Sequence, residues 1–311
     1  MRRAARFDGR ACRRCARAAW RPYRSLLLTA LALAALACGR RGPPEVTGLP
    51  GETAASGVKE AVLRFRPPSG ARTSCPAYLE TVIQAIGQDR PLQQTLGGER
   101  RDVEYVEAAS GTQRMVRRTF GETKWTTSYP MPAPETRDLP PTESLLNIDE
   151  RGRVESGTAD KAVTAGMAAW VRLFDVVPGW PDGALRPGDV VPRPLLGPGP
   201  PGTQATVQAA APLTLVGFVR LGERTCAKFR SDVSGTLSFP PPGPAAAIGE
   251  PARSVLRGTG WMYFDVETGM LMGSTHQLHY GLPLPGGAKG APIPEFRANF
   301  RSGPCTYEGG S

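Results

Sequence analysis

Apolar and polar positions fall into three patterns along this chain. Ser25 to Ala37 is an unbroken run of 13 small and apolar residues. From Glu60 onward the period is two: Ala61, Leu63 and Phe65 alternate with Val62, Arg64 and Arg66, as on a half-buried strand. The same alternation predicts strands over Arg101–Ala108, Thr112–Phe120 and Glu122–Tyr129, with Arg72–Ile86 readable as strand or as strand running into a short helix. A hairpin is predicted from Ser144 to Glu155, turning at Gly152. Further strands follow at Thr203–Ala210, Leu213–Leu221, Thr225–Phe239, Arg253–Val266, Met270–Tyr280 and Glu295–Phe300.

One stretch has helical spacing instead. Val163, Met167, Trp170, Val171 and Phe174 fall at i, i+4, i+7, i+8 and i+11, and Thr158 is placed to cap the N-terminus. Such a face ordinarily packs on a sheet; the sharper expectation is that Val163, Met167, Trp170 and Phe174 line a ligand site. Pro178–Gly202 is so rich in proline and glycine that regular structure is excluded over most of it. The expected organisation is a leader (1–37), a lipidated cysteine and flexible tether (38–58), a first β module ending in a helix (59–177), a Pro/Gly-rich linker (178–202) and a second β module (203–311). The fold class is mainly β with minor α: two related antiparallel β modules or half-barrel sheets, with one packed helix near the middle. The halves echo each other in Gly70-Ala71-Arg72-Thr73-Ser74-Cys75 and Gly222-Glu223-Arg224-Thr225-Cys226, although turn residues recur by chance.

Charge changes the picture at the N-terminus. The chain carries a formal +10, but nine arginines against Asp8 before the apolar run hold eight of those charges. Residues 38–311 are only +2, so nucleic acid is not an expected partner. A basic segment, a short apolar core and small residues form the layout of an export signal, and 13 residues fall short of the ~20 that a spanning helix needs. An ordinary secretory signal cut near Ala37 and an uncleaved anchor are the competing readings.

Ala35-Leu36-Ala37-Cys38 resembles the lipobox of bacterial lipoproteins. The resemblance implies cleavage between Ala37 and Cys38 and acylation of the Cys38 thiol, which would tether the protein to a bilayer. Gly39 in place of aspartate implies the outer membrane, facing the periplasm. From Leu213 to Tyr280 the chain also resembles uncharacterised bacterial lipoproteins with a duplicated antiparallel β module, and more distantly the half-barrel carriers that shelter acyl chains.

Cysteine usage follows from export. Cys12 and Cys15 fall in the leader, and Cys38 takes lipid. Cys75, Cys226 and Cys305 remain, three thiols with three possible pairings, of which Cys226 with Cys305 is the expected one.

Catalytic signatures are weak. His276 and His279 are the only histidines, and three residues apart on a strand they point to opposite faces, so no metal site is expected. Ser56-Gly57-Val58-Lys59 matches S-x-x-K but lies in the tether, and Gly197–Gly202 matches G-x-G-x-x-G with prolines where N–H donors are needed. Asp189, Asp232, Asp265 and Glu267 are placed at turns, where such side chains bond their own backbone. Arg114, Arg117 and Arg118 dress a solvated face, with a basic groove as the alternative. No cofactor is implied. The expected function is a non-enzymatic envelope lipoprotein that binds an apolar ligand or a partner between its β modules. The alternatives are a structural, protein-interaction lipoprotein and a hydrolase with an unrecognised site.

Overall fold

The computed structural model describes residues 46–84, 93–128, 141–159, 170, 173–175, 177–200, 204–240, 251–281 and 295–309. Ala37, Cys38, Val163 and Met167 lie outside them.

Sixteen strands form among the described residues, and they make one antiparallel sheet. In chain order they are β1 (Glu52–Ala54), β2 (Arg72–Gln84), β3 (Gln93–Ser110), β4 (Gln113–Phe120), β5 (Lys124–Ser128), β6 (Thr142–Asp149), β7 (Val154–Ala159) and β8 (Val190–Val191). The second half adds β9 (Pro194–Pro198), β10 (Thr206–Ala210), β11 (Leu213–Leu221), β12 (Arg224–Phe239), β13 (Ala252–Asp265), β14 (Leu271–Gly281), β15 (Glu295–Ser302) and β16 (Thr306–Glu308). The sheet runs β1-β11-β12-β13-β14-β15-β2-β3-β4-β6-β7 and does not close. The mainly-β expectation therefore holds, with one short helix at Trp170 and residues 173–175.

The two halves meet edge to edge. β15 pairs with β2 over eight residues, from Glu295 opposite Gln84 to Ser302 opposite Ala77. Gly70 and Gly222, the glycines of the sequence echo, both take positive φ (79° and 59°) in the turns that launch β2 and β12. Only glycine enters that region without a steric cost from Cβ.

Alternation decides which face is covered. On β14, Ser274, His276, Leu278 and Tyr280 share one face, and the register continues it through Phe300 and Leu79. This face carries an apolar cluster that includes Val233, Leu237, Leu256, Leu278 and Phe300, roofed by Trp170, Leu173 and Phe174. The opposite face is polar: it carries an exposed Arg257, half-buried Thr259, Asn299 and Glu80, and a buried Gln277.

Four expectations need correction. Thr158 is paired with Leu145 inside β7 and caps no helix; pairing to β6 overrides its capping preference. Residues 61–66 keep their alternation, with Leu63 and Phe65 buried, but join no ladder. Their backbone instead bonds piecemeal to Leu185, Glu150 and Thr268. The stretch 178–202 is no bare linker: it holds β8 and β9, and Trp180 and Leu195 are fully buried. Proline is tolerated at both ends of β9 because, among the described residues, β9 pairs on one side only, with β10. Finally, residues 46–54 are not a loose tether. β1 pairs with β11, the Leu49 side chain is buried, and the Trp261 indole N–H donates to the Val46 carbonyl at 2.7 Å.

The disulfide is also corrected. Cys75 bonds Cys305, while Cys226 is a free, buried thiol. Cys226 lies on β12 opposite Asp265 of β13. The Cys305 segment lies against the start of β2, where β16 pairs with residues 72–74, so β2 supplies the nearby thiol. Burial pushes the Cys226 thiol up to about 12, which keeps it a neutral, inert core residue.

Candidate functional site

A polar cluster is embedded where the helix meets the covered face. Trp170 and Phe174 pack edge-on with ring centroids 5.1 Å apart, Trp170 meets Tyr280 at 5.7 Å, and Phe174 stacks on Phe300 at 6.0 Å. Of the four helix residues expected to line a ligand site, these two are the ones described, and both fill the core. Directly after Phe174 comes Asp175. A carboxylate at a helix C-terminus opposes the helix dipole and calls for a cation or strong donors.

Those donors come from the sheet and from the proline-rich segment. The Ser274 hydroxyl donates to Asp175 Oδ1 at 2.6 Å. Arg193, 3% exposed, reaches under the helix, and its guanidinium donates to the Phe174 carbonyl at 2.8 Å, Ser231 Oγ at 2.9 Å and the Ala211 carbonyl at 3.1 Å. Burial pulls the Arg193 guanidinium down to about 10, with Asp175 working in the opposite direction; it stays charged at neutral pH.

His276 completes the cluster. It is fully buried, and Nε2 lies 3.7 Å from Asp175 Oδ1, beyond hydrogen-bonding reach. Neither ring nitrogen has a hydrogen-bond partner among the described residues. Gly260 sits opposite His276 on β13, and a Cβ there would come within 2.3 Å of Nδ1. Glycine at 260 makes room for the imidazole. Burial lowers the His276 pKa, Asp175 opposes that shift, and the ring is held neutral.

Two hollows flank this cluster. A small cavity of about 10 Å³, closed in by Leu79, Arg100, Asp175, Ser274, Phe300 and Ser302, has room for about one water. It shares Ala77, Tyr78, Arg100 and Arg301 with an open groove of about 460 Å³ at the seam of the two halves. That groove is lined by Tyr78, Glu99, Arg101, Glu122, Lys124 and Arg301.

The other sequence expectations sort as follows. His276 and His279 do point to opposite faces of β14, and His279 Nδ1 lies 3.7 Å from Glu295. Among the described residues no cluster of three or more His, Cys, Asp or Glu side chains is placed to hold a metal. Arg117 and Arg118 are paired with Glu107 and Glu104, and Arg114 bonds three carbonyls, so they form no free basic groove. Asp189 and Asp265 do bond turn backbone, at Arg186 and Thr268 respectively. Asp232, in contrast, is mid-strand on β12 and pairs with Arg230.

Sequence reasoning missed Arg193, Asp175, Ser231 and Ser274. A signal existed for the first two. Arg193 is a lone charge in the apolar run Val190-Val191-Pro192-Arg193-Pro194-Leu195, and Asp175 ends an otherwise apolar helix face. The two serines carry no such mark.

Chemically, the cluster is a polar clamp. Ser274 is bonded to a carboxylate and not to an imidazole, so it lacks the base contact that activates a serine nucleophile.

No family model matches this chain, and no curated protein matches it. Among solved structures it is similar to OpdQ of Pseudomonas aeruginosa at 8% identity, over 76% of this chain and 97% of that one, with a TM-score of 0.17. A likeness of that size carries no argument about fold or function.

Proposed function

We propose that this protein is a non-enzymatic envelope lipoprotein, held to the outer membrane by acylated Cys38, whose covered sheet face binds an apolar ligand such as an acyl chain. One observation supports the ligand reading above the others. Among the described residues, a broad apolar face spanning β10, β12–β15 and β2 is covered by three side chains of a short helix, Trp170, Leu173 and Phe174. A ligand with comparable apolar area could take the place of these three side chains, each of which contributes roughly 1.5–3 kcal/mol when buried.

The test is titration of the purified protein with a long-chain fatty acid and a phospholipid, following tryptophan emission, alongside native mass spectrometry for lipid carried through purification. The expected result is a saturable spectral change that the Trp170→Phe variant reduces, with tighter binding in Phe174→Ala, where a cavity opens under the roof. No co-purifying lipid and no saturable change in either protein would sink the reading.

One observation favours a second reading, a protein-interaction role. Among the described residues β7 ends the sheet, bonded to β6 on one side only, and its residues from Val154 to Thr158 are exposed. An open edge of this kind can add a strand from a partner. Cross-linking in cells from an exposed β7 position would then trap one dominant protein.

A further inference from the structure

We infer that the exposed cations on the polar face of the sheet lie against the anionic headgroups of a bilayer, with the seam groove as the place where a headgroup phosphate is held. The inference rests on the reading of Cys38 as the anchor for its leash argument, and on charge placement independently of that reading.

The leash comes first. Residues 46–49 are bonded to the polar face at three points. The Trp261 indole N–H donates to the Val46 carbonyl, the Thr275 hydroxyl to the Thr47 carbonyl at 3.4 Å, and the Leu49 N–H to the Tyr263 hydroxyl at 3.2 Å. Eight peptide steps separate Val46 from Cys38. A chain of that length spans at most about 28 Å when fully extended. An acylated Cys38 therefore confines the Trp261 region of this face to the neighbourhood of the membrane.

The charges on the same face complement an anionic surface. Trp261 pairs with Thr275, and Thr275 with Arg301, so Arg301 lies two strands from the leash, roughly 10 Å away. The row continues through Tyr78 and Glu99 to Lys124. Four residues further along β13 stands Arg257, and Arg253 follows. Arg101, Lys124, Arg253, Arg257 and Arg301 are all exposed, and none forms an ion pair among the described residues. The acids between them are four against these five cations: Glu80, which accepts from Asn299, Glu99, Glu122, and Glu295 beside His279. The surplus is cationic.

The seam groove concentrates three of these cations, Arg101, Lys124 and Arg301, around Tyr78, with the Arg301 guanidinium 5.9 Å from the Tyr78 ring centroid. Glu99 and Glu122 on the same rim would face the amine of a zwitterionic headgroup or the solvent. Arg40 and Arg41 add charge in the leash itself. Each Lys or Arg held near an anionic leaflet strengthens attachment by about 1 kcal/mol, and the effect decays within a Debye length.

The experiment uses residues 38–311 without the acyl group, so that its outcome does not depend on whether Cys38 is modified in cells; labelling with fatty acid tests that separately. Co-sedimentation is measured with vesicles of phosphatidylcholine, with and without phosphatidylglycerol. Salt-sensitive binding to the anionic vesicles alone is expected. The Arg257→Gln/Arg301→Gln double variant should lower that partitioning about tenfold or more, as two charges at the cited strength imply. An Arg40→Gln/Arg41→Gln control separates the leash from the face. Equal binding to both vesicle types, or anionic binding abolished by the leash variant and untouched by the face variant, overturns the inference. Circular dichroism and melting of both variants confirm that surface substitutions left the fold intact.

Discussion

His276 is the residue whose environment makes the firmest demand. Its imidazole is buried beside Phe174, between Asp175 on the helix and Arg193 on the strand-flanking segment. Burial lowers its folded-state pKa below the ordinary 6.5, and the nearby Arg193 charge acts in the same direction. A group neutral in the fold and ordinary in the unfolded chain contributes stability that is fully present above pH 6.5 and is lost as pH falls toward the folded pKa. His279 is shifted down as well, chiefly by burial, and adds to the same trend. Melting temperature should therefore drop between neutral pH and the upper edge of the carboxylate range. His276→Gln should flatten that slope while costing stability at neutral pH, and an unchanged slope would show that the imidazole does not titrate with folding. The histidine's placement on β14 was legible from strand periodicity. Its partners were not, because Asp175 and Arg193 reach it from segments 101 and 83 residues earlier in the chain, and no local pattern encodes that meeting.

Elements were more legible than partners. Eleven strands, β3–β7 and β10–β15, are legible from alternation and turns; in β12, buried and exposed positions alternate from Phe229 to Ser234, one face against apolar side chains and the other in water, which is the condition that writes the pattern. The short strands β1, β8, β9 and β16 escaped for the opposite reason: two to five residues cannot show a period, and proline or glycine nearby argued against them. The strap at 46–54 is the instructive case. Its composition reads as tether, yet it is held by polar contacts to side chains far along the sequence. The Tyr263 hydroxyl accepts from Leu49 N and donates to Glu52 at 2.7 Å, and Glu52 also pairs with Lys228. Tyr263→Phe removes both bonds while keeping the ring buried. The expected cost is about 1–3 kcal/mol, since a buried Leu49 N–H and a carboxylate lose a partner together. Hydrogen exchange should locate the loss at residues 46–54, with β13 and β14 still protected. Uniformly faster exchange through the whole sheet would mean that the strap is not a separately opening unit.

At the scale of the molecule, the repeat in sequence became continuity in space. The pattern suggested two modules, and the two blocks of strands are recognisable as β2–β7 and β10–β15, but β15 finds its second neighbour in β2. Three further ties cross the division. Cys75 bonds Cys305, β16 lies on the start of β2, and Leu79 from the first half joins the cluster built on β12, β14 and β15. The segment between the halves supplies both Trp180, packed at 4.7 Å on Phe264, and Arg193, which satisfies the carbonyl at the break between β10 and β11. Residues 203–311 expressed alone would therefore lose eight paired residues along β15, the helix roof and the Arg193 bonds in one step. An exposed β15 edge beside an uncovered apolar face is a template for self-association. The expected behaviour is dye-binding, aggregating material without a cooperative melt, and addition of residues 46–202 as a separate chain should restore a sharp transition. A monomeric, cooperatively melting 203–311 fragment would instead establish the second half as a domain in its own right, and the shared sheet as a docking of two finished parts.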